Sequence, residues 1–178
     1  MGEGIDLAAL LVESVEAFNQ YRLDHPDDPV TLSSVNLQGR DLAGANLAGA
    51  TLSEADLSWA NLAHCNFEGA DLRRCRLEGC NLTGARFDGA RMDYANLRSA
   101  RLSDASLRGV TLLSGVFQSA DLRNASLHRA SLKRVSFCDA NLTGAVFTGA
   151  DLAEADLRWA QYEVDDLADA DLSSARIR

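Results

Sequence analysis

The sequence predicts an all-β solenoid in which short extended segments and corners wind into stacked square coils, and three observations support this. A large apolar residue recurs every five positions from Leu32 to Ile177, through thirty pentads without an insertion. A small residue, usually alanine, precedes nearly all of these by two positions, and glycine often follows by two. A period of five fits neither a helix, with about 3.6 residues per turn, nor a strand, with its period of about two.

Each pentad is predicted to contain an extended small–polar–large triplet followed by a two-residue corner. Alternate side chains of an extended segment face the same side, so the small and large residues point inward and the polar residue points outward. Glycine suits the corner because it adopts positive φ without steric cost. Four corners close one coil, so the thirty pentads make about 7.5 coils stacked about 4.8 Å apart.

The composition fits such a narrow interior, since hydrophobic residues make up 47 % of the chain but aromatic residues only 6 %. Each buried leucine contributes about 1.5–3 kcal/mol before conformational entropy is subtracted. Of the four cysteines, Cys65, Cys75 and Cys80 occupy the small inward position and are interpreted as small hydrophobic residues, whereas Cys138 does not. The cysteines form no CxxC pair, and neither a metal site nor a cofactor site is predicted.

The chain is predicted to be cytoplasmic. No segment reaches the roughly 20 apolar residues that a membrane span requires. The longest apolar run, residues 7–12, follows acidic rather than basic residues, which is atypical of a signal peptide. Free thiols are then expected, because the cytoplasm keeps cysteines reduced.

Residues 1–29 differ from the repeats and are predicted to form a helical cap and linker before a β-helix over residues 30–178. A single helix over residues 5–23 is predicted, because apolar residues from Leu7 to Phe18 recur at helical spacing and Pro26 follows. Its apolar stripe would cover the first coil, since an open strand edge invites aggregation. The alternative is a helix that binds a partner.

The sequence contains no pattern typical of an enzyme. The three histidines are scattered, and no nucleophile–histidine or metal-ligand spacing occurs. Two charged residues fall at the small inward position. Asp165 indicates either a distorted last coil or a ligand site, while Arg40 is expected to extend outward beneath the cap or to pair with Asp6 or Asp41.

The repeats resemble a known family. Ala-Asp-Leu occurs at residues 55–57 and 70–72, and Ala-Asn-Leu at residues 45–47 and 60–62. These triplets are similar to the Ala-(Asp/Asn)-Leu-x-x consensus of the pentapeptide-repeat family. The resemblance implies a right-handed quadrilateral β-helix. It also implies one known role, because some members imitate B-DNA and bind DNA gyrase, which modulates the topoisomerase or confers quinolone resistance.

The charge is distributed in bands along the predicted rod. The formal net charge is −9, which is unusual for a general nucleic-acid binder. It divides into −10 for residues 1–72, +7 for residues 73–134, −8 for residues 135–172 and +2 for residues 173–178. The middle segment is a basic girdle of Arg73, Arg74, Arg76, Arg86, Arg91, Arg98, Arg101, Arg108, Arg123, Arg129, Lys133 and Arg134. A continuous acidic surface is absent from this pattern, which argues against DNA mimicry.

We therefore predict a non-enzymatic protein-binding or scaffold protein, with a gyrase-binding DNA mimic as the alternative. Arginines of the girdle and outward-facing aromatic or apolar residues are the candidate contacts. These candidates are Arg73, Arg74, Arg76, Trp59, Tyr94, Leu113, Val116 and Trp159. Direct binding of nucleic acid or membrane is not expected.

The last repeats predict a homodimer contact. The pattern continues to Ile177, so the final coil, with Leu172 and Ile177, would be open unless a second copy covers it end to end. The family resemblance implies the same, because quinolone-resistance members dimerise through their C-terminal ends.

Overall fold

The computed structural model describes residues 5–177. Residues 1–4 of the predicted cap and linker and residue 178 of the predicted β-helix lie outside the described residues. The described chain begins with two helices, α1 (Leu7–Glu13) and α2 (Val15–Asp24). The repeats follow from Thr31 to Arg176 as parallel β-bridges between residues 20 apart. Four pentads therefore complete each coil. A short 3₁₀ helix, Val164–Leu167, interrupts the last coils.

Backbone hydrogen bonds join each coil to the next in a repeating set. The outward polar residue bonds backward, as Asp71 N–H does to the Ala50 carbonyl at 2.9 Å. The large inward residue bonds forward, as Leu52 N–H does to the Asp71 carbonyl at 2.8 Å. The bridges are single residues rather than long strands, because every extended triplet ends in a corner.

The corners are type II turns, in which the second corner residue has positive φ. Gly44 shows the pattern, with φ 73° and a hydrogen bond of 3.0 Å from Ala45 N–H to the Leu42 carbonyl. Ten glycines have positive φ at this position, and eighteen other residues, Trp59 and Tyr94 among them, adopt the same conformation. Glycine is thus favoured but not required, because the turn bond and the inter-coil bonds hold each corner.

The interior follows the predicted alternation of small and large side chains. The buried core consists of the alanines and leucines of the repeats, with the buried cysteines among the small ones. Aromatic residues 20 apart stack on each other. The ring centroids of Phe67 and Phe87 are 4.9 Å apart, and those of Phe117 and Phe137 are 5.1 Å apart. The pentad interpretation of the inward positions is confirmed.

The prediction of a single helix over residues 5–23 is wrong, because the helix is interrupted at Ser14. Ser14 has φ −155° and ψ 112°, and its side chain accepts a hydrogen bond of 3.1 Å from Ala17 N–H. Serine is a favoured N-cap, and here it ends α1 and starts α2. Asp6 caps α1 in the same way, accepting bonds of 3.0 Å from Ala8 and Ala9 N–H.

Both helices contact the first coil. Leu11 and Phe18 are fully buried in the same cluster as the core of the repeats. The Asn19 carboxamide oxygen accepts a bond of 2.7 Å from Asn46 N–H. An Arg22 guanidinium nitrogen donates a bond of 2.8 Å to the Ala48 carbonyl. In later coils the equivalent backbone groups bond the preceding coil, so these two side chains replace bonds that a preceding coil would make.

The regular coil is distorted between residues 162 and 168. Val146 forms no bridge with Asp166, and Gly149 N–H bonds the Asp169 carbonyl at 3.0 Å, one residue beyond the regular register. Asp165 lies exposed in the 3₁₀ helix rather than inward. A carboxylate at the inward position would be desolvated without a partner, and the distortion avoids that cost. The structure therefore agrees with the distorted-coil interpretation of Asp165.

Arg40 extends into solvent, as one of the two interpretations of this residue expected. Arg40 is exposed, and among residues 5–177 it forms no ion pair, either with Asp6 or with Asp41. Its backbone carbonyl still accepts the regular inter-coil bond of 2.9 Å from Asn61 N–H.

The three inward cysteines are expected to be inert to thiol reagents. The thiol of Cys75 donates to the Leu52 carbonyl at 2.8 Å, and Cys65 and Cys80 make equivalent bonds. Burial raises the pKa of each of the three thiols to about 12, and thiolate is the reactive form. Labelling of the native protein near pH 8 should modify only the half-buried Cys138, and Cys138→Ser should abolish it. Labelling of the inward cysteines at the same rate would contradict this.

Candidate protein-binding surface

The corners form straight ridges along the rod, because equivalent residues lie 20 positions apart. One ridge, called here the Tyr94 ridge, contains Glu54, Arg74 and Tyr94. The next ridge around the rod, the Trp59 ridge, contains Trp59, Gly79 and Trp159. The face between them presents one outward residue per coil, including Arg76 and Val116.

The structure brings four of the predicted contact residues together at the Tyr94 ridge. Arg73, Arg74 and Tyr94 line a surface cleft of about 420 Å³. Tyr94 is 54 % exposed and Leu113 36 % exposed, and they lie in adjacent coils joined by a bond of 2.9 Å from Tyr94 N–H to the Leu113 carbonyl. Val116 is half-buried on the neighbouring face.

The two tryptophans do not belong to one compact site. Both are well exposed on the Trp59 ridge, but they are five coils apart. The Trp159 ring lies against the Arg158 guanidinium, with 5.1 Å between the guanidinium carbon and the ring centroid. The Trp59 ring instead covers Gly79 in the next coil, where an added Cβ would lie 2.2 Å from the ring.

Gly79→Ala is expected to displace the Trp59 ring. Gly39 is a matched control, because its φ of 65° equals that of Gly79 and nothing lies within 4 Å of an added Cβ. Both substitutions should cost about 1–2 kcal/mol of stability, because alanine is strained at this φ. Only Gly79→Ala should increase acrylamide quenching of Trp59 fluorescence in a Trp159→Phe background. Equal quenching in the two variants would contradict the contact.

The predicted arginines are already engaged by acidic residues. The Arg73 guanidinium bonds both oxygens of Asp71, at 2.7 and 2.6 Å, and this hydrogen bonding holds the pKa of Asp71 below its usual value. Arg74 lies 3.6 Å from Glu54. Arg76 and Asp56, 20 residues apart, lie at 3.4 Å.

Similar ion pairs occur at both borders of the basic girdle. Arg86 pairs with Glu68 at the N-terminal border. Lys133 lies 3.2 Å from Asp151 at the C-terminal border, and Arg134 lies 2.9 Å from Glu154. Exposed pairs of this kind contribute at most about 1 kcal/mol each. Their main consequence is that the outer basic residues of the girdle, apart from Arg129, are partly neutralised.

Four arginines at the centre of the girdle have no such partner. They lie in four consecutive pentads, one on each side of a single coil, and all four are exposed. None forms an ion pair among residues 5–177. We call them the arginine belt: Arg91, Arg98, Arg101 and Arg108. Sequence reasoning did not single them out, because it summed charge along the chain. Spacing could not have found them either, since each has an acid 20 residues away, namely Asp71, Glu78, Asp121 and Asp88 in the same order.

Three of the four acids that lie 20 residues from a belt arginine bond other groups, while the fourth, Glu78 beside Arg98, forms no ion pair among residues 5–177. Asp71 is engaged by Arg73 rather than by Arg91. Asp121 accepts two bonds from Arg123, at 2.9 and 2.7 Å. Asp88 accepts from the Ser106 hydroxyl and, at 3.1 Å, from the Arg108 backbone N–H. Among the described residues, the belt arginines therefore carry positive charge that no ion pair engages.

Comparison with protein families identifies the repeats. A family model described as pentapeptide repeats matches in eight copies over residues 32–69, 70–109, 100–139 and 130–161. The chain belongs to the pentapeptide-repeat family. Proteins of this family form right-handed quadrilateral β-helices, and the four-pentad register described above is that architecture.

Several solved pentapeptide-repeat structures resemble this one. Full-length QnrB1, a plasmid-mediated fluoroquinolone resistance protein, is 18 % identical, with a TM-score of 0.66 over 80 % of this chain and 79 % of that one. HetL from the cyanobacterium Nostoc sp. strain PCC 7120, involved in heterocyst differentiation regulation, is 29 % identical over 88 % and 91 % of the two chains, with a TM-score of 0.41. A protein of the Arabidopsis thaliana thylakoid lumen is 28 % identical over 69 % and 72 %, with a TM-score of 0.46. The comparison with curated proteins gives no match.

The pentapeptide repeats of this chain present no clustered metal ligands. Within residues 5–177, no three histidine, cysteine, aspartate or glutamate side chains are grouped so as to hold a metal ion. In the same residues, no helix is both long enough and apolar enough to cross a membrane.

Proposed function

We propose that this pentapeptide-repeat protein is a non-enzymatic, cytoplasmic scaffold that binds a protein partner on the outside of its β-helix. The observation that carries the proposal is the Tyr94 ridge, where an exposed tyrosine, an exposed leucine and several arginines share one surface. Tyrosine and arginine are enriched among the residues that dominate binding energy at protein interfaces.

The rigidity of the ridge supports this role. Tyr94 is held by a corner with φ 63°, by the bond from its N–H to the Leu113 carbonyl in the next coil, and by the bond from Arg74 N–H in the preceding coil to the carbonyl of the adjacent Asp93. A surface that is already ordered loses little conformational entropy when it binds. The bands of opposite charge would also orient an approaching partner, because complementary potentials increase the rate of association and select against wrong partners.

Affinity capture tests the scaffold proposal. The wild-type chain should retain, after cross-linking in a lysate of its own host, a defined protein that the double variant Tyr94→Ala, Leu113→Ser loses. Trp159→Ala is the matched control, because it removes an exposed aromatic side chain far from the Tyr94 ridge. The proposal fails if the wild-type chain enriches nothing over an unfolded control, or if all three proteins capture the same partner equally.

The second candidate is a gyrase-directed DNA mimic. It is supported by the shared rod-like fold with QnrB1, described as a fluoroquinolone resistance protein. The basic girdle counts against it, because a mimic of B-DNA needs negative charge along its length. A gyrase supercoiling assay with and without a quinolone separates the candidates. Inhibition or protection at micromolar protein would favour the mimic, and no effect would remove it.

Self-association at the C-terminal end stays a prediction. Leu172 is half-buried and Ile177 is 46 % exposed. If two copies meet there, Ile177→Asp should convert a dimer to a monomer in analytical ultracentrifugation. An unchanged mass would remove this surface from the interface.

We also propose that α1 and α2 cap the first coil. Their buried Leu11 and Phe18 extend the core, and the side chains of Asn19 and Arg22 complete backbone hydrogen bonds at the coil edge. The alternative, a helix that binds a partner, would leave these contacts dispensable for stability.

A further inference from the structure

We propose that the partner's contact is a short acidic segment that crosses the Tyr94 ridge, bound by the two arginines on either side of Tyr94. This inference rests on the proposed protein-binding function and names its chemistry. The surface, called here the Tyr94 patch, consists of Arg91, Tyr94, Arg98, Leu113 and Val116. Its two arginines belong to the arginine belt and form no ion pair among the described residues, unlike the neighbouring Arg73, Arg74 and Arg76.

The register places these residues on one continuous surface. Arg91 and Tyr94 line the same cleft. Arg98 lies in the following pentad, at the far edge of the face that begins at the ridge. Leu113 and Val116 belong to the next coil, which is joined to the Tyr94 coil by the bridge between Asn96 and Val116. Two cationic groups therefore flank an aromatic and apolar strip.

The charges of the patch favour carboxylates as the bound groups. The guanidinium presents a planar fork of donors that matches a carboxylate, and bonds between charged groups are the stronger ones. Asp93, the acid within the patch, accepts a bond of 2.8 Å from Leu113 N–H. Arg91 contributes to lowering the pKa of Asp71, but the hydrogen bonds of Asp71 go to Arg73, which is the larger cause. The patch thus offers donors without an equal number of free acceptors.

The banding limits the partner to a short segment lying across the rod. Glu54 and Asp56 lie two coils away from the belt, or about 10 Å at the spacing of paired strands, which is close to the Debye length at about 0.1 M salt. A long polyanion running along the rod, such as a nucleic acid, would leave the belt and meet the acidic segments. A short segment across the ridge meets Arg91 and Arg98, with only Asp93 in the same coil and Glu78 in the preceding one as nearby acids. Its apolar side chains can cover Leu113 and Val116.

Peptide binding tests the inference directly. The probe is a short fluorescein-labelled peptide of alternating glutamate and leucine, compared with its glutamine counterpart and with single-stranded oligothymidylate. We expect the acidic peptide to bind, and Arg91→Gln with Arg98→Gln to weaken it by about tenfold or more. The matched control, Arg73→Gln with Arg76→Gln, removes the same charge and should change binding by less than about twofold, since those arginines are engaged by Asp71 and Asp56.

Each other outcome overturns the inference. Equal weakening by both double variants would mean that only overall charge matters. If the glutamine peptide bound as tightly as the acidic one, carboxylates would not be the groups that the patch recognises. Tighter binding of oligothymidylate would indicate a nucleic-acid surface. Thermal unfolding of every variant confirms that it is folded. The broader scaffold proposal fails separately, through the affinity capture with Tyr94→Ala and Leu113→Ser.

Discussion

Replacing Phe18 with alanine should lower the free energy of unfolding by about 3–5 kcal/mol, the usual cost of truncating a buried phenylalanine. Phe18 has no exposed surface and belongs to the same buried cluster as the first coil. The loss would also loosen α2, which carries Asn19 and Arg22 to the edge of that coil. Urea unfolding followed by circular dichroism measures the change.

Leu23→Ala is the matched control, because Leu23 lies in the same helix but is 70 % exposed. It should change stability by less than about 0.5 kcal/mol. Asn19→Ala should fall between the two, at about 1–3 kcal/mol, because it leaves the Asn46 N–H without its partner. If Phe18→Ala were no more destabilising than Leu23→Ala, the helices would not be a cap.

Gly115→Ala should destabilise the protein by about 1–3 kcal/mol, the usual cost of overpacking a core. Gly115 is buried at a small inward position where every other repeat except those of Arg40 and Asp165 carries alanine, cysteine or valine. An added Cβ would lie 1.7 Å from Cδ2 of Leu112 and 2.8 Å from its Cγ. The Leu112 side chain thus fills the volume that alanine occupies elsewhere.

The sign of this prediction is decisive. Gly→Ala at an unstrained position stabilises a protein by about 0.4–1 kcal/mol, because it reduces the entropy of the unfolded chain. A stabilising Gly115→Ala would therefore contradict the contact. Leu112→Val removes the clashing methyl group, so in a double-mutant cycle it should recover at least about 1 kcal/mol of the loss.

Most of the β-helix could be predicted because its determinants are local. Within one pentad, spacing alone decides which residues face inward, and the buried leucines and alanines confirm that pattern. The break at Ser14 was missed because the apolar stripe continues across it, although serine followed by Glu16 and Ala17 carried a capping signal. The distortion at residues 162–168 was only partly foreseen, from the single residue Asp165.

The candidate site was less predictable than the fold. Tyr94, Leu113 and Val116 were found because an apolar residue at an outward position breaks the pattern. The sequence did not show which arginines form ion pairs and which do not. Arg73 has its partner two residues away, in Asp71, whereas Arg76 has its partner a full coil away, in Asp56.

The sequence by itself determined the period, the inward positions, the family and the order of the charge bands, because each depends on residues within one pentad or on simple sums along the chain. Only the tertiary structure decided which charges remain available. Stacking brings residues 20 apart within reach and makes side chains of neighbouring coils compete for the same acid. Arg74 and Arg76 pair with acids one coil away, whereas Arg91 and Arg98 form no ion pair among the described residues, because Asp71 bonds Arg73 instead of Arg91.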